Sequence, residues 1–225
     1  MESRRSHLGD LRWPELADGV RRILAVPVGS CEQHGAHLPL DTDTRIAIAV
    51  ARRLADARDD VVVAPPLTIT ASGEHAGFPG TLSVGTDITA ALVVELVRSA
   101  DWARGVLLVN GHGGNRDAVE RAVAVGTAEG RAVVAFWPHV EGGDLHAGYT
   151  ETSIMLHLDP DAVDLAAATA GPSPTIAELR RAGVRAVSPG GVLGDPSHAS
   201  AADGVRILAA LTEQIVRRAA AEWPP

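Results

Sequence analysis

Short apolar runs alternate with segments of helical periodicity along this chain, and this alternation constrains the fold more than any other feature. Four apolar runs predict buried strands at Ile23–Val28, Val61–Ala64, Val106–Val109 and Ala132–Trp137. Strands separated by helices favour an α/β fold with a mostly parallel sheet. Such sheets carry their sites in loops at the carboxyl ends of the strands.

Helical spacing of apolar residues fills the segments between and after these strands. The clearest example places Ile46, Val50 and Leu54 on one face of a single helix. One predicted helix is capped by Thr86 and Asp87, runs to about Arg104 and stops at Gly105. The other predicted helices are Asp43–Arg58, Asn115 to about Glu129, 151–158, part of 175–182, and 201–222.

Composition excludes several classes of function. The net charge is −8 and all 20 basic residues are arginine, so nucleic-acid binding, a lysine Schiff base and a P-loop are disfavoured. Met1–Asp10 is charged and does not predict a signal peptide, and no apolar run is long enough to predict a membrane span. The single cysteine, Cys31, permits no internal disulfide. We expect one domain over residues 1–225 and a cytoplasmic protein.

The loop after the first strand, Gly29–Thr42, and the start of the next helix hold the densest group of metal-binding residue types. Glu32 and His34 are two residues apart, and alternate side chains of an extended backbone point the same way. Asp43 follows after glycine and proline, which let the chain fold back. Two carboxylates and an imidazole suit Zn²⁺, Fe²⁺ or Mn²⁺. The alternative is a polar surface loop that caps the helix.

A glycine-rich loop, Asn110-Gly-His-Gly-Gly-Asn115, follows the third strand. Its glycines allow a sharp turn and leave His112 unobstructed as a ligand. The alternative is a non-catalytic module that cradles an anion or nucleotide on the backbone N–H groups of Gly111–Gly114. The spacing matches neither the dinucleotide nor the P-loop fingerprint, which favours the metal ligand.

A third polar segment, Asp144–Ser153, places Glu151 at a predicted helix start. Glu151 is a candidate ligand and catalytic residue, or else a capping carboxylate. His146 lies in the same loop and is the candidate acid for the leaving amine, or an oxyanion partner. The candidates for supporting or substrate-contacting roles are His37, Glu74, His75 and Asn115.

The three segments together predict a metal centre. Its candidate ligands are Glu32, His34, Asp43, His112 and Glu151. Three carboxylates and two histidines exceed what one catalytic zinc needs and fit two divalent ions that share a carboxylate. Asp43 is the candidate for the shared residue.

These segments also resemble the creatininase family of metal-dependent amidohydrolases. The resemblance rests on Glu-Gln-His-Gly-x-His-Leu-Pro, Asn-Gly-His-Gly-Gly-Asn and His-Ala-Gly-x-x-Glu-Thr-Ser, and it spans most of the chain. It implies a three-layer α/β/α sandwich, a dinuclear centre with Zn, Fe or Mn, and metal ligation by Glu32, His34, Asp43 and His112. Creatinine-hydrolysing members carry a further glutamate where this chain has Gly114, so creatinine is a poorer guess, and Glu151 is the candidate replacement.

Within the family, the chain is most similar to the mycofactocin-system branch. That similarity implies a peptidase that cuts a ribosomally made precursor peptide and releases its modified C-terminal Val-Tyr unit. It also implies a homo-oligomer, often a hexamer in this family. The alternatives inside the family are a creatinine-type cyclic amide hydrolase and a formamide deformylase.

Overall fold

The computed structural model describes residues 6–17 and 19–224, so the first half of Met1–Asp10 lies outside the described residues. Its centre is a four-stranded sheet of β1 (Ile23–Val28), β2 (Val61–Val63), β3 (Gly105–Asn110) and β4 (Val133–Phe136). The strand order is β2-β1-β3-β4, and every pair is parallel. The prediction of a mostly parallel sheet is confirmed.

Both faces of the sheet are buried, as a parallel sheet requires. Ile23 and Ala25 of β1 pack into one apolar cluster, and Leu24 and Val26 pack into another on the opposite face. The low aromatic content, 3%, leaves both clusters dominated by Ala, Val, Leu and Ile.

Helices cover the sheet on both sides. The helices are α1 (Trp13–Leu16), α2 (Thr42–Ala57), α3 (Gly85–Ser99), α4 (Arg116–Ala128), α5 (Tyr149–Leu158), α6 (Ile176–Ala182), α7 (Val184–Val187) and α8 (Ala201–Glu222). One face of the sheet packs against α2, α5 and α8, and the other packs against α3 and α4. This is the expected three-layer α/β/α sandwich.

The predicted end of α3 is wrong. The helix ends at Ser99 rather than near Arg104, and Gly105 is the first residue of β3 rather than a helix stop. A Cβ on Gly105 would lie 2.4 Å from Cζ2 of Trp223. Glycine is therefore required because the indole of a distant helix end packs against this strand. The predicted caps at Thr86 and Asp87 also fail, because the helix starts at Gly85 after Val84.

The order of the strands creates the place for a site. The chain leaves β1 for β2 on one side and later returns to β3 on the other, so β1 and β3 flank a topological switch point. Loops from adjacent strands separate there and leave a crevice. The two loops after β1 and β3 are those that carry Glu32, His34 and His112. Within the described residues, every helix is too short or too polar to cross a membrane.

Candidate metal centre

The five predicted ligands converge at this crevice. Glu32, Asp43 and His112 present ligand atoms that all lie within 4.8 Å of one another. His34, Asp43 and Glu151 form a second such group. Asp43 belongs to both groups, which is the position expected for a carboxylate shared between two cations.

Asp43 lies in the first turn of α2, and its two oxygens face different histidines. Oδ1 lies 3.1 Å from Nε2 of His34, and Oδ2 lies 3.1 Å from Nδ1 of His112. The hydroxyl of Ser30 donates to Oδ2 at 2.7 Å. The carboxylate is thus held at one oxygen and directed at two ligand sites.

Each of the two predicted histidine ligands uses its other nitrogen to contact a backbone carbonyl. Nδ1 of His34 donates to the carbonyl of Glu32 at 3.1 Å, and Nε2 of His112 donates to that of Ala71 at 3.0 Å. A carbonyl can only accept, so the proton of each neutral ring is fixed on that side. The remaining nitrogen faces Asp43 with a lone pair, which is the usual arrangement of a metal-ligating histidine.

Glu32 provides an independent reason to expect a cation. Its side chain is fully buried, and neither carboxylate oxygen has a hydrogen-bond partner among the described residues. The Nε2 atoms of His75 and His112 nevertheless lie only 3.2 and 3.1 Å away. A buried carboxylate without hydrogen bonds is costly, and a cation among these atoms would offset that cost. The donor set of carboxylates and imidazoles fits Zn²⁺, Mn²⁺ or Fe²⁺.

Glu151 reaches the second group from the first turn of α5. Its Oε2 accepts from the backbone N–H of Ala147 at 2.6 Å and lies 3.8 Å from Nε2 of His34. Ala147 has a φ of +52° and is the one non-glycine residue with positive φ among those described. This left-handed backbone is unfavourable for alanine. In this conformation the backbone N–H of Ala147, the residue after His146, points at the carboxylate of Glu151.

His146 also lies in the cluster. It forms a third possible ligand group with Glu32 and His34. Its Nε2 donates to the carbonyl of Gln33 at 2.7 Å, and its Nδ1 lies 3.7 Å from Oε1 of Glu32. The ring therefore offers a lone pair, rather than a proton, to the cluster.

Without a cation, protons occupy the places between these ligands. Burial lowers the pKa of His34, but the carboxylate of Asp43 outweighs it and raises the pKa to about 10. Burial also opposes the charge on His112, yet Glu32 and Asp43 raise its pKa well above the usual value. The same two imidazoles hold the pKa of Asp43 well below its usual value, against the effect of burial. The carboxylates thus attract positive charge to the cluster.

Two other members of the cluster have pKa values that are shifted toward the neutral form. Burial, followed by the positive charges of His34 and His75, lowers the pKa of His146 well below the ordinary imidazole value. Burial raises the pKa of Glu151 to about 7, and the nearby charge of His34 reduces that rise. The buried, neutral His146 suits a residue that accepts a proton during a reaction.

The predicted supporting residues occupy different places. Nε2 of His37 is 3.0 Å from Oγ1 of Thr152, so it joins the loop after β1 to α5. Asn115 accepts from the N–H of Ala71 at 3.1 Å and donates to the carbonyl of Gly29 at 2.9 Å. Both side chains are buried and brace the loops that carry the ligands.

Glu74 fills the space created by Gly114. A Cβ on Gly114 would lie 1.9 Å from Oε1 of Glu74 and 2.4 Å from Nε2 of His112. Oε1 of Glu74 itself lies 3.3 Å from Nε2 of His112. Burial opposes the charge of Glu74, but the hydrogen bond and charge of His112 lower its pKa. A side chain at position 114 and the present position of Glu74 are therefore mutually exclusive.

Sequence reasoning missed three residues that shape the centre. Ser30 holds Asp43, Gln33 contacts two histidines, and Asp144 caps the start of α5 by accepting from the N–H groups of Tyr149 and Thr150. Ser30 and Gln33 lie inside the first motif, so their proximity to predicted ligands was the available signal. Cys31, between them, is half-buried, and its Sγ lies 3.7 Å from the carbonyl oxygen of Gly80.

A cavity of about 430 Å³ opens beside the cluster. Its lining includes His112 and Glu151, together with Arg116, Trp137 and Leu145. The guanidinium carbon of Arg116 lies 4.5 Å from the centre of the Trp137 ring. A small or extended substrate therefore has access to the metal-binding groups from this side.

Comparison with known proteins agrees with the geometry. The family model described as creatinine amidohydrolase matches residues 9–219. The mycofactocin precursor peptide peptidase of Mycobacterium tuberculosis is 50% identical over 216 residues, which cover 90% of this chain and 86% of that protein.

Two solved structures share the fold. A mutant creatininase described as Zn-Zn type superposes with a TM-score of 0.85 at 27% identity and covers 99% of this chain and 100% of its own. A structure described as creatininase Mn gives a TM-score of 0.80 at 27% identity, with the same coverage of both chains. The family match over nearly the whole chain, on the motifs that build the cluster, shows that this protein belongs to the creatininase family.

Proposed function

We propose that this protein hydrolyses the mycofactocin precursor peptide at an amide bond and releases its modified C-terminal Val-Tyr unit. The observation that carries the proposal is the 50% identity to a protein named mycofactocin precursor peptide peptidase, over 90% of the chain. The buried cluster of carboxylates and imidazoles at the crevice supports the hydrolytic chemistry.

Two divalent ions would be held by the two ligand groups. Glu32, Asp43 and His112 would bind one, and His34, Asp43 and Glu151 the other. When bound, such ions polarise a carbonyl and lower the pKa of water to about 7. The relatives described as Zn-Zn type and as Mn make zinc and manganese the first metals to test.

The chain's own residues would position the substrate and move the proton. Nδ1 of His146 carries the lone pair that faces the cluster, so it accepts a proton from the attacking water. The same nitrogen then returns the proton to the amine that leaves. The open cavity beside His112 and Glu151 admits the extended peptide on the side of Trp137.

Creatinine is a less suitable substrate for this site. The family resemblance implies a glutamate at position 114 in members that hydrolyse creatinine, whereas this chain has glycine there. Glu74 occupies the space that a side chain at position 114 would need. Glu151 takes part in the second ligand group instead. A binding module that cradles an anion on Gly111–Gly114 is disfavoured. His112 of that loop lies beside the carboxylates of Glu32 and Asp43, whose negative charge would repel an anion.

The test is cleavage of the precursor peptide that carries its maturase-modified C-terminus. Metal-reconstituted protein is incubated with the peptide, and the products are identified by mass spectrometry. We expect loss of the Val-Tyr unit, and no loss after chelation or in Glu32→Gln. Glu213→Gln is the matched control, because Glu213 is an exposed carboxylate on α8. An intact peptide with metal bound would refute the substrate and redirect the search to cyclic amides and formamides.

We also propose that the protein forms a homo-oligomer. Apolar side chains at Leu82, Ile88 and Leu92 are exposed on and beside α3, and Ile88 is 60% exposed. Exposed apolar groups of this kind favour association with another surface. Light scattering coupled to size-exclusion chromatography measures the subunit number, and a monomer would contradict the proposal.

A further inference from the structure

Gln33 lies between two candidate ligands in the sequence, and its side chain enters the group of histidines around Glu32. The residue is buried, and its carboxamide nitrogen lies 2.9 Å from Nδ1 of His75 and 3.0 Å from Nε2 of His146. The geometry of this amide decides which atoms of the two rings carry protons.

Two backbone groups fix the orientation of the amide. The N–H of Gly35 donates to Oε1 of Gln33 at 2.8 Å, and Nε2 of Gln33 donates to the carbonyl of Gly191 at 3.0 Å. An N–H can only donate and a carbonyl can only accept, so the oxygen and nitrogen cannot be exchanged. One of the two amide protons is thereby used on Gly191.

The second amide proton has one available acceptor. Nε2 of His146 lies 2.7 Å from the backbone carbonyl of Gln33, so this nitrogen must carry a proton and cannot accept. The amide proton therefore goes to Nδ1 of His75. The neutral His75 ring then has its own proton on Nε2, which lies 3.2 Å from Oε1 of Glu32.

The two rings consequently differ in the nitrogen that lies near one carboxylate oxygen. The protonated Nε2 of His75 lies 3.2 Å from Oε1 of Glu32 without hydrogen-bonding geometry, whereas the bare Nδ1 of His146 lies 3.7 Å from the same atom. A residue that donates can stabilise negative charge, and one with a lone pair can accept a proton or bind a cation. The difference between them originates in Gln33.

The close packing of Gln33 shows that its position is restricted. Gly191 has a φ of +83°, and a Cβ there would lie 1.8 Å from Oε1 of Gln33. Glycine at this position lets the backbone approach the amide closely enough to accept its proton.

We propose that Gln33 is a positioning residue: its side chain fixes the tautomer of His75, and its backbone carbonyl fixes the tautomer of His146. The tautomers follow from the contacts alone. Their effect on turnover rests on the proposed function.

Histidine tautomers can be read without a substrate. The zinc-loaded, full-length protein is labelled with ¹⁵N at its nine histidines, and solid-state NMR distinguishes protonated from bare ring nitrogens. The variants His75→Gln and His146→Gln assign the two rings. We expect both rings to be protonated at Nε2 in the unsubstituted protein. Protonation of His75 at Nδ1 would overturn the proposal.

Gln33→Met separates positioning from a general structural role. Methionine has similar length but no amide, so we expect His75 to lose its single tautomer while His146 keeps Nε2–H on the backbone carbonyl. The control is Gln214→Met, at the chain's other glutamine, whose amide donates to the carbonyl of His139 on the surface. An unchanged His75 spectrum in Gln33→Met would overturn the proposal.

Turnover gives the second readout. Zinc content should be retained in Gln33→Met, and kcat/KM for the precursor peptide should fall about 10–100-fold, the usual cost of losing a supporting contact at a metal site. Normal turnover with an altered tautomer would remove the catalytic part of the proposal. If the unsubstituted protein does not cut the peptide, the proposed substrate fails while the tautomer result stands.

Discussion

The metal-free protein should lose stability as the pH rises from 7 to 9. The pKa of His34 is raised from 6.5 to about 10 by Asp43 and the neighbouring carboxylates, despite complete burial. A pKa that is higher in the folded state contributes stability fully below pH 6.5, and the contribution is lost as pH rises through about 10. The full contribution is about 5 kcal/mol, at about 1.4 kcal/mol per pKa unit. About 2–3 kcal/mol of it disappears between pH 7 and 9.

Urea unfolding of the chelator-treated protein at pH 7, 8 and 9 measures this loss. Protein concentration is held constant, because association changes apparent stability. His34→Gln removes the titrating group and should have a clearly smaller pH dependence. His112, whose pKa is also raised, should retain part of the slope. Equal stability at pH 7 and 9, or an unchanged slope in His34→Gln, would refute the view that protons occupy the positions of cations.

Metal-loaded protein should show the opposite trend. His34 and His112 must lose their protons before they can bind a cation, so binding releases protons and affinity rises with pH. Stabilisation by added zinc should therefore increase from pH 6 to 8. Zinc stabilisation that is independent of pH would show that neither histidine binds the metal.

Four substitutions test other parts of the centre. Asp43→Asn should lower the content of both metal ions, whereas Glu151→Gln should lower the content of one. Mass spectrometry of the purified protein measures the metal content. Equal metal loss in the two variants would exclude Asp43 as the only shared ligand. Gly114→Ala should lower the free energy of unfolding by about 1–3 kcal/mol, because the new Cβ would meet Glu74, and unchanged urea unfolding would contradict this packing. His146→Gln should keep its metal and lose about 10²–10⁴-fold in kcat, and loss of metal would instead make His146 a ligand.

The grouping of the candidate ligands could be predicted from sequence, because each of these residues lies in a short motif at the end of a strand or the start of a helix. Glu32 and His34 are two residues apart, and His112 follows directly from β3. The parallel sheet was equally predictable, since strand periodicity is local and parallel strands place their carboxyl ends at one edge. The assignment of catalytic roles within this set stays a prediction.

Sequence could not show contacts between residues that are far apart in the chain. The sequence predicts a helix stop at Gly105, but the structure places Trp223 against it. The sequence predicts that Gly114 allows a sharp turn, but the structure places Glu74 in the space beside it. In both cases, close packing by a distant residue, rather than backbone conformation, requires glycine.

The sequence by itself determined which residue types gather at the crevice, because strand order and motif spacing bring them to one edge of the sheet. Only the tertiary structure decided which atoms of the candidate ligands face one another and which ring nitrogens carry protons. That choice depends on single backbone groups, such as the carbonyls of Ala71, Gln33 and Gly191, whose positions are set by packing across the whole chain. A hydrogen bond is directional over a few tenths of an ångström, and no local sequence pattern specifies distances that finely.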